Sequence, residues 1–564
     1  MNGAESASRR IPPVAIAALA VGALIRLWVY AARPSLWIDE ARVALNIGAR
    51  SWGELLQPLD FDQAAPPLFL WATKLAVLAL GMNEYGLRAV PLLASLAIPP
   101  LVFVLADRLA GRRVAVLATV LAALSPGLVR HAAELKPYQV DAFMALVLIG
   151  AFLARRPGRR GYGPAAVLLG AIAVWLSTTA VFVLAAIGMI ELGQHRRDPA
   201  ALRALLPAFA LWLGSFAGVY AISYRHTAAN AYLREFWSPT VLTPGRPGWV
   251  VDVWRSIRDV AAEGFVTGPL ELWASPLSTV ALNIGGAILL LLAGLGVRSL
   301  ARSRGRPEAM VLTLPWLIVF AASVAGRYPF APRLTLFALP LLDIAVAAGL
   351  VALDKLPRPV RVALAAPFAV VFGAGVLWCV DRVAAPDWED HIRPAVEFFR
   401  EEVRPGEPVY VLAGALPAWT FYTTDWQQPD TARLARVARE ASAGGLAFEN
   451  ERPRGRRVED DGAHLVFRYK DWTELFGVYS GARWLSDGEL TQRHPDANWA
   501  ASEAHRVRNA AKPTTWVLAG RSLRLDRELR AAIEALGGRS AESYVDTDVT
   551  VTRYRFDSAA ASIR

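Results

Sequence analysis

Long apolar segments separated by short arginine clusters set the pattern over residues 1–380. Apolar runs occupy residues 11–32, 87–109, 114–129, 140–153, 164–175, 180–192, 202–223, 276–297, 310–325, 334–353 and 362–380. A helix of roughly 20 apolar residues reaches across a bilayer. A soluble helix of that length would carry a polar stripe at every third or fourth position. The pattern therefore predicts a polytopic α-helical membrane protein with about 11 transmembrane helices. A further apolar run, 66–80, is only about 14 residues long and carries Lys74, which predicts a helix lying along the membrane interface.

Basic residues orient the chain. Arg9 and Arg10 precede the first run, and tight clusters at Arg108/Arg112/Arg113, 155–160, Arg196/Arg197, Arg298–Arg306 and Lys355–Arg361 follow alternate runs. The positive-inside rule puts these clusters and the N-terminus in the cytoplasm, so an odd number of crossings sends the C-terminal region outside. A cleaved signal peptide is the other reading of residues 11–32; the length of the run favours a retained first helix. Residues 33–65 and 225–275 become two long external loops.

Beyond residue 380 the pattern turns soluble. An amphipathic helix is expected over 391–403, strands over 408–413, 515–519 and 547–556, and helices over 417–422 and 526–536. Strands alternating with helices predict a small α/β domain with a mainly parallel sheet. Residues 440–462, rich in Gly, Arg and acids, read as a loop. The domains are then 1–380 in the membrane and 381–564 outside it, in a periplasmic position.

Composition narrows the class. The chain has 564 residues, 54% of them hydrophobic, which excludes disorder and a single soluble domain. The net charge of +11 invites a nucleic-acid partner, but the arginines sit between apolar runs as topology signals, so no nucleic acid is expected. The single cysteine, Cys379, excludes a disulfide within the chain and a Cys-based metal site. The 19 tryptophans suit rings populating membrane interfaces.

The chemistry centres on Asp39 and Glu40, which follow the first apolar run and lie where the chain leaves the bilayer. Carboxylates beside lipid are costly unless they are paired or functional. Asp39 is the candidate general base toward an acceptor hydroxyl, with Glu40 bracing it or binding an arginine; a solvated helix cap or a partner to Arg42 is the structural alternative. Arg130, Lys136, Arg327 and Arg333 lie on short external turns and are candidates for a phosphate leaving group whose charge grows as its bond breaks. His131 could share that work, and Tyr138 adjoins the same turn. Snorkelling to the headgroups is the alternative for these cations. Asp60, Asp62, His131 and Glu134 could assemble a divalent cation site, although no ligand spacing supports one.

The order Leu36-Trp37-Ile38-Asp39-Glu40-Ala41, Pro66-Pro67-Leu68-Phe69, Gly81 to Arg88, Glu134-Leu135-Lys136-Pro137-Tyr138 and then Arg327-Tyr328 before an apolar run resembles the GT-C class of membrane glycosyltransferases. Within it, the chain is most similar to the protein O-mannosyltransferase and aminoarabinose lipid A transferase group. The resemblance covers roughly the first 380 residues and is most specific in the first 140. It implies a polyprenyl-phosphate-linked sugar donor, a glycan, lipid or protein acceptor, inversion at the anomeric carbon, and a location in the inner (plasma) membrane. It carries the acidic catalytic role onto Asp39 with Glu40 beside it, and Arg88 belongs to the matched stretch. Two departures stand out: Lys136 replaces an arginine-rich turn, and Ala64-Ala65 replaces a lysine before the Pro-Pro pair. A transporter or flippase of lipid-linked glycan would instead need matching halves with charges at mid-membrane. A non-catalytic scaffold with an exported binding domain is a third possibility.

Overall fold

The computed structural model describes residues 11–155, 161–245, 247–265, 276–384, 391–442, 466–469, 472–476, 499–511, 513–520, 523–546 and 549–556. Arg9, Arg10, the arginines within 156–160 and most of the expected 440–462 loop lie outside the described residues. The chain divides into two compact units. The first comprises Met1–Arg33, Ala65–His226 and Trp237–Pro386, and the second Pro34–Ala64, Thr227–Phe236 and Asp387–Arg564.

The first unit is helical. Among the described residues, seven helices are long and apolar enough to cross a membrane: Pro13–Ala32, Glu84–Ala110, Pro199–Ala229, Leu282–Ser303, Arg306–Val324, Pro332–Lys355 and Arg358–Asp381. The other four expected crossings correspond to shorter helices, Arg112–Leu124, Tyr138–Leu153, Pro164–Leu176 and Ala180–His195, of 13 to 16 residues. At about 1.5 Å per residue these fall short of a hydrocarbon core of roughly 30 Å. Pro67–Leu80 forms a separate helix of 14 residues, with Pro at its first turn where the missing N–H costs nothing. Of the 225–275 region, expected as a loop, the described residues 225–245 and 247–265 are largely helical, and Trp249–Phe265 forms an amphipathic helix.

Two features fix packing within this unit. Arg26, wholly buried, donates from Nη1 to Ala123 O at 2.7 Å, from Nη2 to Ala122 O at 3.1 Å and from Nε to Ser95 Oγ at 2.8 Å. The last-turn carbonyls of the Arg112–Leu124 helix lack partners within their own helix, so the guanidinium caps that helix and ends it at Ser125-Pro126. The Pro276–Ser303 and Leu339–Ala352 helices meet through glycine: a Cβ on Gly296 would sit 1.9 Å from Ala345 O, and one on Gly349 1.9 Å from Leu292 O. In lipid, helix association relies on such close backbone approach. Gly296→Leu is therefore expected to cut the yield of monodisperse protein in detergent and to lower its melting temperature by several degrees, whereas Gly294→Leu, whose Cβ would meet nothing within 4 Å, is expected to leave both unchanged. Thermal unfolding of the purified chain checks this.

Among the described residues, the second unit is built on a six-stranded sheet in the order β2-β3-β1-β4-β6-β5. Its strands are β1 (Pro408–Val411), β2 (Val466–Tyr469), β3 (Trp472–Phe476), β4 (Thr514–Gly520), β5 (Gly538–Val545) and β6 (Val549–Phe556). β1 pairs parallel with β3 and β4, while β2–β3, β4–β6 and β5–β6 are antiparallel. The sheet is thus mixed, and the expectation of a mainly parallel one is corrected. The close sequence spacing of β2 with β3 and of β5 with β6 makes them hairpins, while the helices Trp499–Ala510 and Leu523–Ala535 lie in the connections from β3 to β4 and from β4 to β5. Tyr410, Val517 and Tyr554 lie in its core with Val507 and Leu529 of the covering helices. Glu407, just before β1, is buried and accepts from Thr514 Oγ1 at 2.5 Å, from Trp516 Nε1 at 2.9 Å and from Arg553. These bonds offset the burial that opposes its charge and hold the carboxyl below the usual glutamate range.

Candidate active site

The Asp39 segment belongs to the second unit. The Ile38–Ala49 helix starts after an extended Trp37, whose backbone N–H donates to Glu40 Oε2 at 3.4 Å. Glu40 is 1% exposed and turned back on the helix start, the reciprocal half of a capping box. Asp39 lies in the first turn, where the positive end of the helix dipole favours an ionised carboxylate. Its side chain is 20% exposed, and Arg42 Nη1 stands 3.8 Å from Oδ1. Neighbouring residues diverge around a helix, and here that divergence gives the more accessible position to Asp39 and the bracing position to Glu40.

The surrounding chain fixes this helix. Leu36 N–H donates to Tyr422 Oη at 2.7 Å, and Arg393 N–H to Ser35 Oγ at 3.2 Å. Asp60 pairs with Arg50 Nη2 at 2.9 Å, and its N–H donates to Asn46 Oδ1 at 2.9 Å. Asp62 accepts from Asn230 Nδ2 at 2.8 Å. Phe61 and Asp62 sit at φ of 61° and 54°, a left-handed conformation unusual for a bulky residue such as Phe61. From the 227–236 segment, Tyr232 hydrogen-bonds with Arg42; burial first, then the nearby Asp39 charge, pushes its hydroxyl above the usual tyrosine range, against the pull of Arg42. Sequence reasoning does not single out Arg42, Asn230 and Tyr232 as a group, because their partners lie far away in the chain.

The cationic turns belong to the first unit. Pro126–Arg130 forms a single helical turn, and His131 to Lys136 continue it as a buried turn before the Tyr138–Leu153 helix. His131, 6% exposed, bonds through Nδ1 to Glu134 and through Nε2 to Glu263 Oε1 at 3.2 Å. Burial alone would lower its pKa, but the two carboxylates overcome it and raise the value to about 9. Burial likewise works against ionising Glu134 and Glu263, and the His131 charge outweighs it, holding both below the usual range. At neutral pH this is an imidazolium between two carboxylates.

Further cations surround it. Lys136, 7% exposed, and Arg333 both act on Glu134, and Arg130 acts on Glu263. Arg333 stacks over the Trp237 ring at 4.8 Å, and Tyr138 meets the His131 ring edge-on at 5.3 Å. Arg130, His131, Lys136 and Arg333 thus exceed Glu134 and Glu263 in charge, which leaves a surplus suited to an anion. The structure gathers these expected residues into one cluster. Arg327, by contrast, is exposed on the turn after Arg306–Val324, with its N–H donating to Ala322 O at 2.9 Å, and none of the described contacts joins it to the cluster. Arg88 is buried near the start of Glu84–Ala110, one turn beyond Glu84, which pairs with Arg33 at 2.8 Å.

Among the described residues, no group of three or more His, Cys, Asp or Glu side chains could hold a metal ion. Of the residues considered for a divalent cation, Asp60 and Asp62 take Arg50 and Asn230 as partners, and His131 and Glu134 bond to each other. Glu263 is a residue that sequence reasoning missed. Its signal was the amphipathic period of 249–265, which places it near the end of a helix.

The fold is of the GT-C type, with helices long and apolar enough to cross a membrane and a small C-terminal sheet. Among solved structures, ArnT of Cupriavidus metallidurans in the apo state is similar at 13% identity and a TM-score of 0.50, over 97% of this chain and 99% of that one. The same protein bound to undecaprenyl phosphate aligns at 14% identity and a TM-score of 0.49, over 97% and 99%. The oligosaccharyltransferase AglB of Archaeoglobus fulgidus, in complex with an inhibitory peptide and a dolichol-phosphate, aligns at 14% and 0.47, over 98% of this chain and 75% of that one. No protein-family model and no curated protein matches the chain.

Proposed function

We propose that this protein is an integral membrane glycosyltransferase that moves a sugar from a polyprenyl-phosphate donor to an acceptor hydroxyl at the outer face of the inner (plasma) membrane, with its N-terminus cytoplasmic. The observation that carries the reading is the cationic cluster of buried Lys136 and charged His131 with the half-buried Arg130 and Arg333, set around the Glu134–Tyr138 turn that the motif order singles out. The GT-C fold over nearly the whole chain supports it.

In this mechanism Asp39 accepts the proton of the acceptor hydroxyl. The acceptor oxygen bonds to the anomeric carbon from the side opposite the phosphate, so the configuration inverts. The bond from that carbon to the phosphate oxygen breaks, and its electron pair leaves on the polyprenyl phosphate. Lys136, with Arg130, Arg333 and His131, stabilises the charge that grows there. Arg327, being exposed, is assigned to the approaching phosphate headgroup. The 381–564 region serves acceptor selection.

The test is reconstitution of the purified chain in proteoliposomes with a panel of labelled polyprenyl-phosphate sugars. Transfer with inversion, releasing polyprenyl phosphate in equal amount, is expected for one donor. Movement of intact labelled lipid between leaflets without bond cleavage would replace the proposal with a flippase.

A further inference from the structure

We infer that Glu263 is a positioning residue for the phosphate-binding turn: it holds His131, and with it the turn bearing Lys136, against the end of the Trp249–Phe265 helix. The inference rests on the proposed donor site and deepens it.

Three contacts, independent of one another, join that helix end to the elements carrying cations. Glu263 Oε1 stands 3.2 Å from His131 Nε2. Ser125 Oγ donates to Gly264 O at 2.8 Å, tying the helix end to the start of the Pro126–Arg130 turn. A Cβ on Gly127 would lie 2.4 Å from Glu263 O, so the two backbones touch with no space for a side chain. On its other side, a Cβ on Gly264 would lie 2.3 Å from Leu339 Cδ1, at the start of the helix that follows Arg333. One short stretch, 263–264, therefore sets the register of both cationic turns.

The carboxylate adds an electrostatic role. The charged groups facing His131 are Glu134 and Glu263; Lys136 and Arg333 act on Glu134, Arg130 acts on Glu263, and Tyr138 lies edge-on to the ring. Burial opposes the imidazolium, and a single carboxylate would leave it less favoured than two. Since the His131 pKa is raised, its charge is present at neutral pH and is lost as pH rises through about 9. Without Glu263 that loss moves to lower pH.

The experiment compares wild type, Glu263→Gln and Glu263→Asp as full chains in detergent. Binding of undecaprenyl phosphate is measured against pH by native mass spectrometry, alongside KM and kcat for the donor. In the wild type, binding is expected to hold to about pH 9. Glu263→Gln is expected to weaken binding about tenfold, raise the donor KM more than it lowers kcat, and shift the alkaline loss of binding downward by about one unit. Glu263→Asp keeps the charge and should restore the alkaline limb, which also keeps the inference testable if Glu263→Gln folds poorly. A Glu263→Gln protein with wild-type affinity and pH profile overturns this inference alone. So does a Glu263→Asp protein whose alkaline limb shifts as far as that of the neutral variant. Absence of undecaprenyl phosphate binding by the wild type overturns the donor-site reading beneath it.

Discussion

Asp39→Asn is expected to reduce sugar transfer by about 10²–10⁴-fold while leaving expression, melting temperature and donor binding unchanged. The asparagine keeps the shape of the side chain and its place in the first turn of the Ile38–Ala49 helix, but it cannot accept the hydroxyl proton. Arg42, 3.8 Å away, loses a long, half-buried ion pair, which costs little stability. Glu40 cannot substitute, because it is buried and reaches back to the Trp37 N–H. Glu40→Gln should behave in the opposite way, lowering thermal stability with a smaller effect on the chemical step. Single-turnover transfer measured beside thermal unfolding separates the two. Retained transfer by Asp39→Asn removes this residue from the mechanism.

Lys136→Met is expected to lower kcat by about 10²–10³-fold, the range found when a preorganised charge-stabilising donor is removed from a site shielded from water. Lys136 is 7% exposed, and its backbone is fixed by a 2.7 Å bond from its N–H to Glu134 O. In the proposed mechanism, a buried ammonium on this turn would need little reorganisation as charge develops on the leaving phosphate. Methionine retains much of the stem volume and removes only the charge. Lys136→Arg keeps the charge but must fit a larger, planar group, so partial activity is expected. Product inhibition by the polyprenyl phosphate of the proposed reaction should weaken in parallel with kcat for Lys136→Met. If kcat is unchanged and only the melting temperature falls, the lysine is structural.

The membrane class and the GT-C fold are legible because both rest on local signals: apolar runs of spanning length, and short motifs in order. Asp39, Lys136 and Tyr138 can be named from such motifs. Other features are not legible. The Trp249–Phe265 helix hides in a stretch rich in Trp and Arg, where the search for long apolar runs obscures a 3.6-residue period. Glu263 then has no motif to mark it, and its role follows from a contact with His131 across 132 positions. Residues 34–64 and 227–236 join the unit of the C-terminal sheet, through bonds such as Leu36 to Tyr422 and Asn230 to Asp62 that no local pattern reveals. The sheet reads as mainly parallel when its strands are located singly. Its antiparallel hairpins depend on β2, β3 and β5, which the pattern does not resolve.

The central claim, transfer from a lipid-linked sugar, is tested most directly by mass spectrometry of polyprenyl-phosphate sugars and envelope glycans from cells with and without this protein. Deletion should make one polyprenyl-phosphate sugar accumulate and remove one sugar from an envelope glycan, lipid or protein, with both changes reversed by the wild-type chain and neither by Asp39→Asn. Unchanged lipid-linked sugar and envelope pools after deletion, or full restoration by Asp39→Asn, would contradict it.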